Sequence, residues 1–234
     1  MIARRDELAA NLAVVRERIA SACRRVGRAA DGVTIIAVTK TFPATDVRLL
    51  ADIGVEHVGE NRDQEAAPKH ADCADLLLRW HFVGGLQRNK SKSVATYADV
   101  VHSVDRLSLV TALSDAARMA GREITALVQI SLDAYAATDR GGVPPELAPE
   151  LADAIAAAPG LRLGGVMAVA PLPADPAPAF ARMARVAERI RSDHPAAVVV
   201  SAGMSGDLEA AIEHGATHVR VGTALLGHRP SPVG

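Results

Sequence analysis

The hydrophobic pattern of the chain alternates between helix-like and strand-like segments from one end to the other. Residues 3–26 carry apolar side chains every three or four positions, which predicts an amphipathic helix that ends near Gly27. The segment 33–39 is β-branched and largely apolar, which is typical of a strand buried on both faces. Strand-like and helix-like segments then alternate along the rest of the chain.

Eight strands are predicted, each followed by a helical segment, of which the last is a short turn. The predicted strands cover residues 33–39, 57–59, 79–83, 100–104, 124–132, 163–169, 197–201 and 218–221. The helices that follow them are predicted over 44–53, 61–71, 89–97, 107–119, 146–158, 178–191, 207–214 and 224–226. Repeated βα units with short connections indicate a parallel sheet, and eight such units close into a barrel.

We therefore predict an α/β fold, a single (β/α)8 TIM-type barrel with an extra N-terminal helix. In this prediction residues 1–234 form one domain, with the helix in 1–27 and the barrel in 33–227. An open doubly wound sheet is the alternative, but no GxGxxG motif follows the first strand.

Composition excludes several classes of protein. A net charge of -1 creates no field that would recruit nucleic acid or an anionic membrane. Cys23 and Cys73 lack a CxxC partner or a histidine at metal-ligand spacing, so we expect two reduced thiols and no metal site. No apolar run approaches the ~20 residues of a membrane span, and no signal peptide is evident. A soluble cytoplasmic protein is expected.

Candidate chemistry lies where barrels carry it, at the C-terminal ends of the strands. The loops after strands seven and eight hold glycines and hydroxyls, in Ser201–Gly206 and in Gly222-Thr223. Such loops bind phosphate through backbone N–H groups, and glycine lets the backbone approach the anion. Either loop alone could be an ordinary turn, but the pair favours a phosphate site.

Lys40 ends the first strand and is one of only four lysines, against 22 arginines. A partly desolvated amine there has a lowered pKa and can attack an aldehyde. The simpler interpretation is a lysine that reaches solvent, whereas a phosphate site across the barrel mouth favours a Schiff-base role. The remaining lysines, Lys69, Lys90 and Lys92, fall in polar helices or the turns that lead into them.

Arg220 lies on the eighth strand, two residues before Gly222. Strand alternation places His218 and Arg220 on one face. If that face is the barrel interior, the arginine can approach a pyridine nitrogen, keep it unprotonated and weaken the ring as an electron sink. The alternative is an arginine paired with a carboxylate at the rim.

Several longer strings in this chain are highly specific. They are AVTKT at 37–41, GENRDQE at 59–65, WHFVGGLQRNK at 80–90, GVMA at 165–168, SAGMSGDLEAAI at 201–212 and VRVGTALLG at 219–227. With these strings in the same order, the sequence resembles the pyridoxal-phosphate homeostasis proteins, small single-domain relatives of the N-terminal barrel of bacterial alanine racemase.

The resemblance implies a site for pyridoxal 5′-phosphate (PLP). It implies that Lys40 carries the cofactor aldehyde, Asn61 lies beside the cofactor, Met167 packs near the ring and Arg220 approaches the pyridine nitrogen. It further implies that Ser201, Ser205, Gly222 and Thr223 hold the phosphate. His81 lies in one of the strings and is expected to be structural.

Two positions depart from the family pattern. Arg140 stands where a lysine is common, and it keeps the charge but cannot form a Schiff base. Phe42 stands where a polar or basic residue is common, which changes the rim of the predicted pocket.

Two classes of function remain open, a non-enzymatic carrier and an enzyme. The enzyme could be a racemase, a decarboxylase or a Schiff-base aldolase. A racemase needs an acid–base group opposite the lysine, which a tyrosine of a separate domain supplies in alanine racemases. We expect no such domain here, and only Tyr135 of the two tyrosines, Tyr97 and Tyr135, could reach the mouth. An aldolase fits poorly with a lysine on strand one. The sequence thus favours a monomeric carrier that buffers PLP and delivers it to PLP-dependent apo-enzymes.

Overall fold

The computed structural model describes residues 2–133, 141–171 and 173–227 and contains a closed barrel of eight parallel strands. The strands are β1 (Thr34–Val38), β2 (His57–Glu60), β3 (Arg79–Phe82), β4 (Val100–Val104), β5 (Ile124–Ile130), β6 (Leu161–Ala168), β7 (Val199–Ser201) and β8 (His218–Val221). Each strand pairs with the next, and β1 closes the barrel on β8 with Ile36 opposite Arg220. The predicted barrel is therefore confirmed, and the open sheet is excluded.

Helices surround this barrel in the order that the sequence predicts. They are α1 (Ile2–Arg25), α2 (Ala44–Asp52), α3 (Asp63–Asp72), α4 (Ser91–Tyr97), α5 (Leu107–Met119), α6 (Ala148–Ala157), α7 (Ala177–Asp193), α8 (Leu208–Glu213) and α9 (Thr223–Leu226). None of the helices in the described part of the chain combines the length and the apolar character needed to cross a membrane.

The extra N-terminal helix covers the part of the barrel that the short last helices leave open. Leu8, Leu12, Val15 and Ile19 lie at helical spacing on α1 and are buried. They form one apolar cluster with residues of β1, β8, α8 and α9. Full burial of such side chains contributes roughly 1.5–3 kcal/mol each. Helix α1 thus completes the outer layer where α8 and α9 have only six and four residues.

Glycines set the path of the strands that carry the site. Gly165 in β6 has φ +141°, and a Cβ at this position would lie 2.0 Å from the carbonyl oxygen of Val199 in β7. Only glycine tolerates that approach. Beyond this point β6 runs in register with its neighbours, so Met167 lies opposite Gln129 on β5 and Ser201 on β7.

Some predicted boundaries are wrong by one or two residues. The predicted helix 89–97 is a 3-10 turn over Arg88–Lys90 followed by α4, and the predicted helix 61–71 begins at Asp63. The third difference is β7, which begins at Val199 instead of 197. Hydrophobic periodicity locates the buried face of an element well but not the residue at which the backbone leaves it.

Candidate functional site

Lys40 lies two residues beyond the end of β1, and its half-buried side chain lines a cavity at the C-terminal mouth of the barrel. The cavity measures about 460 Å³, and Gly222 and Thr223 of the loop after β8 line it as well. Among the residues that the structure describes, the Lys40 amine has no hydrogen-bond or carboxylate partner. The predicted lysine and one of the two predicted phosphate loops therefore share one cavity.

The two predicted phosphate loops contact each other. The hydroxyl Oγ of Ser205, in the loop after β7, accepts a hydrogen bond of 3.1 Å from the backbone N–H of Ala224. A Cβ built on Gly222 would lie 3.6 Å from the carbonyl oxygen of Val38, which shows how closely this loop follows β1. Backbone N–H groups and hydroxyls from both loops are thus gathered beside the strand that ends in Lys40.

Ser201 makes contacts that differ from its predicted role. The sequence assigns it to phosphate, but its side chain is fully buried inside the barrel. Its Oγ lies 2.6 Å from the Arg220 guanidinium, which donates to it, and 3.0 Å from Nδ1 of His102. A hydroxyl that already has both neighbours has little remaining capacity for an anion. In this structure the Ser201 hydroxyl therefore contacts Arg220 and His102.

Arg220 is a buried cation that bonds to neutral groups. Its guanidinium also donates to the carbonyl oxygens of Ser201 and Ala168, both at 2.8 Å. Burial lowers its pKa to about 10, and Asp207 partly offsets that shift. No carboxylate pairs with it among the described residues, so the alternative of a rim ion pair is not supported. An arginine held this way keeps its plane fixed in the barrel interior.

Lys69 lies in the polar helix α3, as the sequence predicts, but its side chain is not solvated. It is buried, with 8 % of its surface exposed. Helix α3 directs it against the outside of the barrel, where its Nζ lies 2.5 Å from Oε1 of Glu60 and donates to the carbonyl oxygen of Thr39 at 2.8 Å. The Thr39 hydroxyl donates to the same carboxylate oxygen at 2.6 Å.

Glu60, the acidic end of this group, is wholly buried at the end of β2. Burial raises the pKa of its carboxyl group, while the Lys69 ammonium and the Thr39 hydroxyl act in the opposite direction. Its second oxygen, Oε2, has no hydrogen-bond partner among the described residues. The pair therefore fixes the backbone of the residue that precedes Lys40, although one carboxylate oxygen stays unsatisfied.

The backbone after Lys40 is held as tightly. Thr41 has φ +68°, the only non-glycine residue in the described ranges with a positive φ. Its N–H donates to Oε2 of Glu65 on α3 at 3.2 Å, and the N–H of Phe42 closes the turn on the carbonyl oxygen of Thr39 at 3.0 Å. Phe42 lines the Lys40 cavity, and the guanidinium of Arg4 lies 5.8 Å from its ring centre.

Asn61 and Met167 lie at the same end of the barrel but line neighbouring cavities. Asn61 lines one of about 430 Å³ together with Gln87 and Lys90. A Cβ on Gly84 would lie 2.1 Å from the Asn61 carbonyl oxygen, so glycine is required where these two loops touch. Met167 is buried and lines another cavity of about 430 Å³. Lys40, Asn61 and Met167 thus line three different cavities.

His81 belongs to a group of interior histidines that the sequence analysis did not connect. It is 2 % exposed and hydrogen-bonds to His57 at 2.9 Å and to His102 at 2.8 Å. Alternation along β2, β3 and β4 was the available signal, because it directs one imidazole of each strand inward.

The two tyrosines differ in position. Tyr97 on α4 is buried in the outer layer, and its hydroxyl lies 3.4 Å from Oδ1 of Asp63. Tyr135 and Arg140 both fall outside the described residues.

Comparison with known proteins identifies the family. Residues 4–230 match the family model described as alanine racemase, N-terminal domain. A pyridoxal phosphate homeostasis protein of Mycobacterium bovis is 43% identical, covering 97% of this chain and 94% of that protein. One of Escherichia coli is 38% identical, covering 96% and 97%.

Solved structures agree with this assignment. PipY of Synechococcus elongatus, in a structure with PLP bound, is 31% identical with a TM-score of 0.81, covering 94% of this chain and 100% of that chain. Alanine racemase of Corynebacterium glutamicum shares the fold with a TM-score of 0.73 at 16% identity, and the match covers 98% of this chain and 62% of that chain. The chain therefore belongs to the alanine racemase N-terminal domain family and, within it, to the pyridoxal phosphate homeostasis proteins.

Proposed function

We propose that this chain binds PLP at the C-terminal mouth of the barrel, tethers it through Lys40, and carries it without turning over a substrate. The cofactor supplies an aldehyde that forms a Schiff base with a lysine amine. The observation that carries the proposal is the shared cavity of Lys40, Gly222 and Thr223. The PLP-bound relative PipY supports it, because its fold matches over 94% of this chain.

The residues present fit the group. A cavity of about 460 Å³ adjoins the Lys40 amine, which has no partner among the described residues and is free to bond. Ser205, Gly222 and Thr223 supply hydroxyl and backbone donors for the phosphate, and Ser201 supports Arg220. The arginine, which has no carboxylate partner in the described ranges, would face the pyridine nitrogen, and Asn61 and Met167 would hold the ring.

Several contacts favour a carrier over a racemase or decarboxylase. The Tyr97 hydroxyl is committed to Asp63 in the outer layer, away from the mouth. Asp105 lines the cavity of Met167, but its carboxylate is paired with Arg106 at 2.5 Å. An arginine at the ring nitrogen disfavours the protonated, electron-withdrawing ring that carbanion chemistry uses. The relatives of Mycobacterium bovis and Escherichia coli are named for cofactor homeostasis and not for a reaction.

The remaining parts of the proposal concern context. We place the protein in the cytoplasm as a single-domain monomer that exchanges PLP with PLP-dependent apo-enzymes. Its balanced charge of -1 gives no reason to expect nucleic acid as a partner.

The test is a titration of the purified protein with PLP followed by transfer. An absorbance band near about 420 nm should appear with one PLP per chain, because the Schiff base is covalent. Mixing with a PLP-dependent apo-enzyme should restore that enzyme's activity. Racemisation of any common amino acid at rates above about 1 per second would contradict the carrier proposal, because that is an ordinary enzyme rate.

A further inference from the structure

Three histidines form a continuous hydrogen-bonded row across the inside of the barrel. Nδ1 of His57 on β2 lies 2.9 Å from Nε2 of His81 on β3, and Nδ1 of His81 lies 2.8 Å from Nε2 of His102 on β4. His81 and His102 are buried, with 2 % and 0 % of their surface exposed. The row begins at the N-terminal face, where half-buried His57 lines a cavity of about 60 Å³.

The other end of the row reaches the arginine of the candidate site. Nδ1 of His102 lies 3.0 Å from Oγ of Ser201 on β7, and Arg220 on β8 donates to the same oxygen at 2.6 Å. Side chains from five strands therefore form one chain, which runs from the N-terminal face to Arg220. We call these residues, His57, His81, His102 and Ser201, the interior relay.

We assign the relay one direction, which starts from Arg220 because arginine can only donate. Ser201 Oγ accepts from Arg220, so its own hydrogen is free to point at Nδ1 of His102. A neutral His102 then carries its hydrogen on Nε2 and donates to His81, which donates in turn to His57. Neutrality follows from burial, which lowers the pKa of His81 and of His102 well below the ordinary value.

We propose that His57, His81 and His102 are positioning residues that hold the Ser201 hydroxyl turned as an acceptor toward Arg220. The proposal rests on the proposed function, because that function makes Arg220 the group that contacts the cofactor ring. Hydrogen bonds in a row polarise one another, so the Arg220 contact is stronger while the whole relay is intact. Loss of the acceptor at His102 frees the hydroxyl to rotate and weakens the hold on the guanidinium.

Protonation of the relay opposes this arrangement. A charged His102 donates from both nitrogens, so Ser201 would have to accept from two cations at once. The charged groups that face the relay do not offset a positive charge equally at the three histidines. His57 faces Arg79, Glu56, Asp99 and His218; His81 faces Arg79 and His218; His102 faces His218 and Arg220. Acidic side chains face only His57, at the N-terminal end of the relay. Protonation in acid should therefore weaken the hydrogen bond between Ser201 and Arg220 at the other end.

Nitrogen-15 NMR of the cofactor-free protein tests the relay without any variant. At pH 8 we expect His57, His81 and His102 to carry hydrogen on Nε2 and none on Nδ1. A hydrogen on Nδ1 of His102 would overturn the proposed direction. His218 is the internal comparison, since its Nδ1 lies 2.9 Å from the Thr217 hydroxyl and outside the relay.

Variants then test the consequence for Arg220 and for PLP. His102→Leu and His81→Leu should shift the Arg220 side-chain nitrogen resonance and weaken PLP binding about tenfold, the loss expected for a hydrogen bond to a charged group. They should also shift the absorbance maximum of bound PLP. His102→Asn keeps an acceptor near the Nδ1 position and should stay within about twofold, as should the control His218→Asn.

The outcomes separate the two proposals. If folded His102→Leu binds PLP with the affinity and spectrum of the parent, positioning by the relay is wrong. If the parent itself does not bind PLP, the proposed function fails, and the Arg220 resonance in His102→Leu against His218→Asn still decides whether the relay positions the arginine.

Discussion

Two lysines approach the end of β1 from opposite sides of the barrel wall, and only one of them is free. Lys40 lies on the inner side, half-buried, and its amine has no partner in the described part of the chain. Lys69 lies on the outer side, buried, and its amine contacts Glu60 and the carbonyl oxygen of Thr39. Burial alone therefore does not distinguish a reactive lysine, and we expect reactivity where an uncommitted amine lies beside a cavity.

The two lysines also depend on each other. Lys69 and Glu65 hold the backbone on both sides of Lys40, through Thr39 and Thr41. Helix α3 therefore serves the site without contributing a ligand to it. Such support is expected of a preorganised site, in which surrounding residues fix the side chains that contact the ligand.

The largest expected effect separates the lysines by spectrum. Lys40→Ala should abolish the absorbance band near about 420 nm completely, because no other amine can form the Schiff base in that cavity. Absorbance titration with PLP measures it. Lys92→Ala, at an exposed position, is the matched control and should keep the band. A full band in Lys40→Ala would show that Lys40 does not form the Schiff base.

The second effect separates them by stability. Lys69→Met leaves Glu60 buried without its cation and should lower the free energy of unfolding by about 3–5 kcal/mol. Chemical denaturation measures it, and Lys40→Met should cost less than about 1 kcal/mol because its amine has no partner to lose.

A double variant sharpens the same test. Glu60→Gln combined with Lys69→Met removes both charges and should recover most of the lost stability, since no buried charge is left unpaired. Equal losses in the single and the double variant would show that packing, and not charge, is what Lys69 contributes.

Much of this architecture was predictable from the sequence, because apolar segments indicate buried strands and glycines indicate the turns between elements. The fold and the position of Lys40 near a strand end follow from periodicity, and strand alternation places Arg220 on the same face as His218. The role of Lys69 did not, because α3 is polar over most of its length and nothing local shows that one lysine turns inward. The contacts of Ser201, at the end of β7, with His102 and Arg220 could not be predicted either, since pairing across β4, β7 and β8 depends on strand register.

The third effect concerns pH and the barrel interior below the lysines. Burial lowers the pKa of His218 from 6.5 to about 4 and that of His57 in the same direction. The unfolded chain then binds more protons than the folded one, so stability is complete above pH about 6.5 and falls as pH drops toward 4. His218 alone accounts for about 3 kcal/mol at most.

Thermal unfolding across this pH window measures the effect. His218→Asn should flatten the acid loss relative to the parent. Glu60 acts with the opposite sign, because its raised pKa favours the folded state as pH falls. The pair of Glu60 and Lys69 therefore does not explain a loss of stability in acid. An unchanged acid profile in His218→Asn would contradict the account.

The smallest effect concerns the turn at Thr41, directly after Lys40. Thr41→Gly should relieve the positive φ of this β-branched residue and raise stability by up to about 1 kcal/mol, reduced by the added chain entropy of glycine. Denaturation midpoints measure it. A stability loss above about 1 kcal/mol would show that the Thr41 side chain itself is required.

The central claim is that Lys40, and not Lys69, forms the covalent bond with PLP. The protein is mixed with PLP, reduced with borohydride to make the bond permanent, digested, and analysed by mass spectrometry of its peptides. The account predicts a pyridoxyl-phosphate mass on Lys40 in nearly every chain. The mass on Lys69, or on no lysine while the absorbance band is present, would contradict it.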